Sequence, residues 1–115
     1  MTEVHFVVQE KYFNAIKSGS KVVEGRVNKP KYERLHVGQT VTFQNANGDE
    51  KFQAKVTFLH RYSTFKEYLE EETLERCLPG VECVEEGISI YHGFPGYEED
   101  AKLLGVLGIG IELIL

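Results

Sequence analysis

The chain has 115 residues, 42% of them hydrophobic and 27% charged, with a formal net charge of −5. A chain of this size folds as one domain and buries roughly two-thirds of the surface its unfolded form exposes, so it needs neither a disulfide nor a structural metal. The negative total argues against a general nucleic-acid binder, and Cys77 and Cys83, six positions apart, fit no zinc spacing and read as free thiols of a reducing compartment.

The first residues carry no basic lead followed by a long apolar run, so no secretory signal is read there. Val4 to Val8 reads as a strand rich in β-branched and aromatic residues. Tyr12, Phe13 and Ile16 fall at helical spacing, and Ser18-Gly19 gives a helix stop. A second strand is expected over about Lys21 to Val27, followed by a polar, proline-containing loop from Asn28 to Val37. Val41 and Phe43 alternate with Thr40, Thr42 and Gln44 as in a half-buried strand, and Asn47-Gly48 is a tight-turn signal. The partner strand runs from about Lys51 to Tyr62. Phe52, Ala54, Val56 and Phe58 form its inner face, which His60 and Tyr62 are expected to continue to the rim.

Thr64 with Glu67 forms a capping box that opens a helix burying Phe65, Tyr68 and Leu69. Shorter helical pieces are expected at 73–78 and 82–92, punctuated by Pro79-Gly80 and Phe94-Pro95-Gly96. Leu103 to Leu115 is apolar but far short of the roughly 20 residues that span a bilayer, so no membrane partner is expected and the location is read as cytoplasmic. Within it Leu107, Ile109, Ile111, Leu113 and Leu115 share one face of a last strand. Gly108 and Gly110 lie on the other face, where missing side chains let another element approach. Together these elements give an α+β domain over 1–115, a small mixed β-barrel of about five to six strands with inserted helices.

Charge is unevenly distributed. Residues 11–36 hold seven basic side chains against Glu24 and Glu33, a net of +5, whereas residues 64–102 carry a net of −8. A basic surface of this kind can attract phosphate while the whole chain stays soluble. The basic half contains Gly19-Ser20-Lys21-Val22-Val23-Glu24-Gly25-Arg26. Gly19 suits the positive φ of a helix end. Glu24 and Arg26, two apart on a strand, share a face. Lys21 is out of phase with them and joins them only if the strand begins with a twist or bulge. If all three meet, Glu24 neutralises one cation while the other faces a phosphate or a base edge, Arg as a planar fork and Lys as a point charge. The alternative is a surface Glu24–Arg26 pair with Lys21 free in solvent.

This GxKxxExR pattern resembles the signature of the ASCH family. His36 to Phe43 and Gly105 to Glu112 are similar to that family's later turn and final strand. The resemblance implies a PUA-like barrel with a cleft lined by the charged residues of the motif, binding RNA or a nucleotide or nucleoside ligand. Among small bacterial members, some remove the acetyl group from N4-acetylcytidine and others are ribonucleases. The lysine of those amidohydrolases falls on Lys21. Their threonine nucleophile falls on Glu24, which has no hydroxyl, so the covalent route through threonine does not carry over. Their later glutamate corresponds to Glu82, Glu85 or Glu86.

Lys21, Glu24 and Arg26 are therefore the candidate ligand-binding residues, with Lys21 and Glu24 as proton-transfer groups if the chain is an enzyme. His60, Tyr62 and Tyr91 are candidates for the same cleft, Tyr62 as a ring that stacks on a base. His92 reads as a helix-end residue, and His5 and His36 have no evident partner. No three of the histidines, cysteines and acids fall at metal-ligand spacing, so no bound metal is expected, and no other cofactor is expected either. Three functions stay open: an RNA- or nucleotide-binding module, a small hydrolase acting on a modified nucleoside or RNA, and a protein-interaction domain using the acidic half.

Overall fold

In a computed structural model describing residues 4–114, five strands form one curled sheet. They are β1 (His5–Val8), β2 (Val23–Val27), β3 (Thr40–Asn45), β4 (Lys51–Tyr62) and β5 (Val106–Leu113). The sheet order is β1-β3-β4-β5-β2, with β1 parallel to β3 and every other neighbour antiparallel. β1 and β2 are thus the two free edges, and the curl brings them face to face across a seam. The expected α+β class and small PUA-like barrel both hold, with five strands.

Between the strands lie α1 (Glu10–Ser18), α2 (Phe65–Glu72), α3 (Leu74–Cys77), α4 (Val84–His92) and α5 (Tyr97–Leu104). None of the described helices is long and apolar enough to cross a membrane. α1 ends where glycine permits it: Gly19 has φ 89°, its N–H bonds to Ile16 O, and the Lys21 N–H reaches back to Ala15 O at 3.0 Å. α2 opens as expected, with Thr64 accepting from the Glu67 N–H. The Glu67 carboxylate reaches one residue further back than a capping box requires, to the Ser63 N–H.

Two apolar layers flank the sheet. Inside the curl, Phe6, Phe43, Val56, Ile109 and Ile111 pack with Phe13 of α1. Outside it, Val23, Val27 and Val106 are covered by Phe65, Tyr68, Leu69 and Tyr91 of α2 and α4. Gly108 and Gly110 face this outer layer. A Cβ at Gly108 would lie 3.2 Å from the Tyr68 ring, and one at Gly110 would overlap Phe58. The expected reason for glycine at both positions therefore holds. Leu107, Ile109 and Ile111 share the inner face, whereas the expected fifth member, Leu115, lies outside the described residues.

Three features differ from expectation. The 28–37 loop contains a 3₁₀ turn at Pro30–Tyr32 and buries Tyr32 and Leu35 in the inner core. A whole helix, α5, follows Gly96. Finally, β4 slips register against β5 between Val56 and Phe58. A bulge adds one residue and so exchanges the faces of everything beyond it. Leu59 takes over the inner face, while Phe58 and Tyr62 join the outer layer. His60 and Tyr62 therefore do not continue the inner face of β4.

Candidate functional site

Lys21 leaves the end of α1 two residues before β2 becomes regular, so the strand's alternation does not govern it. Its backbone is held to Ala15, and its side chain turns back along β2. The ammonium donates to Val23 O at 2.7 Å and to Cys77 O at the end of α3 at 2.5 Å, and lies 3.4 Å from Glu24 Oε1. Those three contacts use all three ammonium N–H groups. Lys21 is 2% exposed and Glu24 6%, so the pair is an interior one rather than the solvated alternative.

The other carboxylate oxygen, Glu24 Oε2, accepts from Arg26 Nε at 2.7 Å. Arg26 Nη2 then crosses the seam to Val7 O on the opposite edge at 3.1 Å, and its guanidinium lies 5.0 Å from the centre of the Phe6 ring. Burial pushes the Glu24 carboxyl up, but the charges and hydrogen bonds of Arg26 and Lys21 outweigh it and hold its pKa below the ordinary carboxylate value. Burial likewise works against the Arg26 charge, yet Glu24 outweighs it and raises the guanidinium pKa further. The trio is therefore two cations around one anion, with one positive charge uncompensated.

Beside this trio, between β1 and β2, is a hollow of about 290 Å³. Lys21, Glu24, Gly25 and Arg26 form its charged side. Tyr12, Tyr91, Phe94 and Tyr97 form aromatic walls, with Val7 and Gln9 on the opposite edge. The aromatic walls are braced: Tyr91 stacks on Phe65 at 4.3 Å, and Phe94 meets Tyr97 edge-on at 5.4 Å. Three lysines each lie over a tyrosine ring at 5.3 to 5.9 Å, Lys11 over Tyr12 and Lys29 over Tyr97, both wall rings, and Lys31 over Tyr32 of the inner core. Cation–ring packing of this kind holds the Lys11 and Lys29 side chains close to two wall rings. Burial raises the pKa of Tyr91 well above its usual value, keeping the hydroxyl protonated as a hydrogen-bond donor.

The fold brings Lys21, Glu24, Arg26 and Tyr91 to this hollow. His60 and Tyr62 are not part of it. They belong to a separate cluster on the outer layer, centred on Glu72, which is 3% exposed. There His60 Nδ1 lies 2.6 Å from Glu72 Oε2, the Tyr62 hydroxyl donates to the same oxygen, and Arg76 lies 3.9 Å from Oε1. Glu82, just before α4, and Glu85 and Glu86 in its first turn also lie outside the hollow, on exposed positions. Burial, and after it the charge of Glu86, raises the pKa of the wall residue Tyr12. Among the described residues no group of acids, cysteines and histidines is placed to hold a metal ion.

Sequence reasoning missed Tyr12, Phe94 and Tyr97 as wall residues. Tyr12 read as core because its spacing suits a buried helix face, and it does both. For Tyr97 a signal existed: Gly96 followed by Glu98, Glu99 and Asp100 is an acidic first turn, which marks a helix start.

The family model described as "ASCH domain" matches residues 7–115. Among solved structures, the crystal structure of the Pyrococcus "hypothetical protein PH0355" is 37% identical and superposes with a TM-score of 0.85, covering 98% of this chain and 100% of that one. The solution structure of protein PF0455 from Pyrococcus furiosus is 34% identical with a TM-score of 0.76, covering 98% of each. No curated protein matches the chain.

Proposed function

The chain belongs to the ASCH domain family, and on that premise we propose that the seam hollow binds a nucleotide, free or as one residue of single-stranded RNA, with its base between the aromatic walls. One observation carries this reading: a buried carboxylate fixed between two cations beside a hollow walled by braced aromatic rings. Apolar and aromatic walls with a few convergent polar groups are the usual build of a small-molecule site, and the volume suits a single ring system. The walls offer faces on which a base stacks, while the uncompensated charge of Arg26 attracts an electron-rich oxygen. Lys11 and Lys29, packed over the wall rings Tyr12 and Tyr97, add positive charge that favours a phosphate.

The hydrolytic reading has less support. A general base needs an open lone pair within reach of its substrate. The Lys21 ammonium has all three N–H groups engaged, and Glu24 is held ionised by both of its neighbours, which lowers its basicity.

Isothermal titration at low salt with the four nucleoside 5′-monophosphates and with a short single-stranded RNA tests the proposal. Saturable binding is expected, weakening as salt rises because phosphate contacts release counterions. Arg26→Ala should weaken it by roughly tenfold or more, the size of a lost charge-assisted hydrogen bond. An absence of binding to every probe removes the reading.

A further inference from the structure

The pairing of β2 with β5 fixes which way each backbone group of β2 points. Val22 O accepts from the Ile111 N–H and the Asn28 N–H donates to Gly105 O. Those pairs belong to the register that sets Glu24 opposite Ile109 and Arg26 opposite Leu107. In an antiparallel ladder the bonded positions alternate. Residues 22, 24, 26 and 28 therefore turn their N–H and C=O toward β5, and Val23, Gly25 and Val27 turn theirs outward, over the seam. Two contacts agree: Val23 O is taken by the Lys21 ammonium and Val27 O by the Lys29 N–H.

Gly25 is different. It lines the hollow, and neither its N–H nor its C=O has a partner among the described residues. An unpaired strand edge is a row of donors and acceptors awaiting a mate. Along this row Val23 O and Val27 O are taken within the chain, whereas at Gly25 both the donor and the acceptor open on a ligand-sized space. Its α-carbon side is closed, because a Cβ there would lie 2.6 Å from the Tyr68 ring. Tyr68 thus fixes the position of the Gly25 backbone from behind.

We infer that the Gly25 N–H and C=O read the ligand as an adjacent donor and acceptor, so that the site takes a planar heterocycle presenting an acceptor beside an N–H, the lactam or amidine edge of a base. This rests on the reading proposed above and adds which edge of the ring is recognised. The ring lies in line with the sheet, like one rung of a further strand, with Arg26 beside it. An extended peptide fits less well, because Arg26 crosses the seam to Val7 O and blocks the path of a continuous strand.

The test uses the full chain labelled with [15N]glycine, whose 11 glycines give a sparse spectrum. It is titrated with the four nucleoside 5′-monophosphates. For whichever binds tightest, the titration is repeated with the analogue whose ring-edge N–H carries a methyl group instead. The Gly25 amide proton should move downfield and exchange more slowly on binding, while Gly108 and Gly110, paired on both sides in β5, stay fixed. The methylated analogue should bind roughly tenfold more weakly or worse, as for one buried hydrogen bond left unmade. Tight binding that leaves the Gly25 amide unmoved, or that is indifferent to the methyl group, overturns this inference and leaves the nucleotide reading standing. No binding by any nucleotide removes both. An unrelated extended peptide that moves Gly25 and displaces the nucleotide overturns the assignment to a ring.

Discussion

Glu24 and Arg26 stand two apart on one edge strand, and the 2.7 Å contact between Oε2 and Nε aims the guanidinium across the seam rather than into solvent. Carboxylate and guanidinium thus act as one unit that both spans the two free edges of the sheet and lines the hollow between them. Lys21 locks the carboxylate from its other side.

That arrangement makes stability depend on pH in a defined direction. The Glu24 pKa in the folded chain is depressed from 4.5, the value of the unfolded group. Its contribution is therefore complete above the unfolded value and is lost as pH falls through the lower folded value. Glu24→Gln, which leaves two buried cations without their anion, should destabilise the fold by about 3 kcal/mol at neutral pH. The difference from wild type should shrink as pH drops below 4.5. Urea unfolding at a series of pH values checks this, and a constant difference across the series would contradict it.

Lys21→Met keeps the apolar stem but removes the donors to Val23 O and Cys77 O. Two buried carbonyls lose their partner, and about 2–3 kcal/mol of stability should go with them. If Lys21 is a structural tie rather than a ligand contact, nucleotide affinity should fall less than in Arg26→Ala. Paired denaturation and titration of the two variants separates the roles.

The Glu72 cluster should behave independently of the hollow. Burial and the hydrogen bond to Glu72 raise the Tyr62 hydroxyl pKa, so that group stays a protonated donor. Glu72→Ala strips the shared acceptor from His60 and Tyr62 and should cost about 2 kcal/mol. Ligand affinity, measured at a temperature where the variant is folded, should not change.

The two cysteines should differ sharply in reactivity. Cys77 is buried, and burial pushes its thiol up to about 11, whereas Cys83 is exposed. Because the thiolate is the reactive form, a disulfide reagent at pH 8 should label one thiol quickly and the second only on unfolding.

Much of this was legible in the chain. The alternation of Leu107, Ile109 and Ile111 against Gly108 and Gly110 specifies a strand packed on both sides, and the order Gly19, Lys21, Glu24, Arg26 marks the charged trio. How Lys21 joins the trio was not legible, because its direction is set by a contact with Cys77, 56 residues away. The placement of His60 and Tyr62 failed for a similar reason: period-two reasoning cannot see an extra residue near Thr57, and one residue reverses every face after it. A cleft beside the charged trio was implied by the family resemblance, with Tyr91 expected at it, but its other aromatic walls were not legible, because Tyr12, Phe94 and Tyr97 come from α1, from the turn after α4 and from α5, which converge only in the folded chain.

The central claim is most directly tested by mapping where a nucleotide binds, using side-chain resonances of the aromatic residues during titration with the tightest-binding 5′-monophosphate. The account predicts that Tyr12, Tyr91 and Tyr97 shift together along one saturable curve, and that Arg26→Ala moves that curve to higher concentration. Shifts confined to His60 and Tyr62, or a curve indifferent to Arg26, would contradict it.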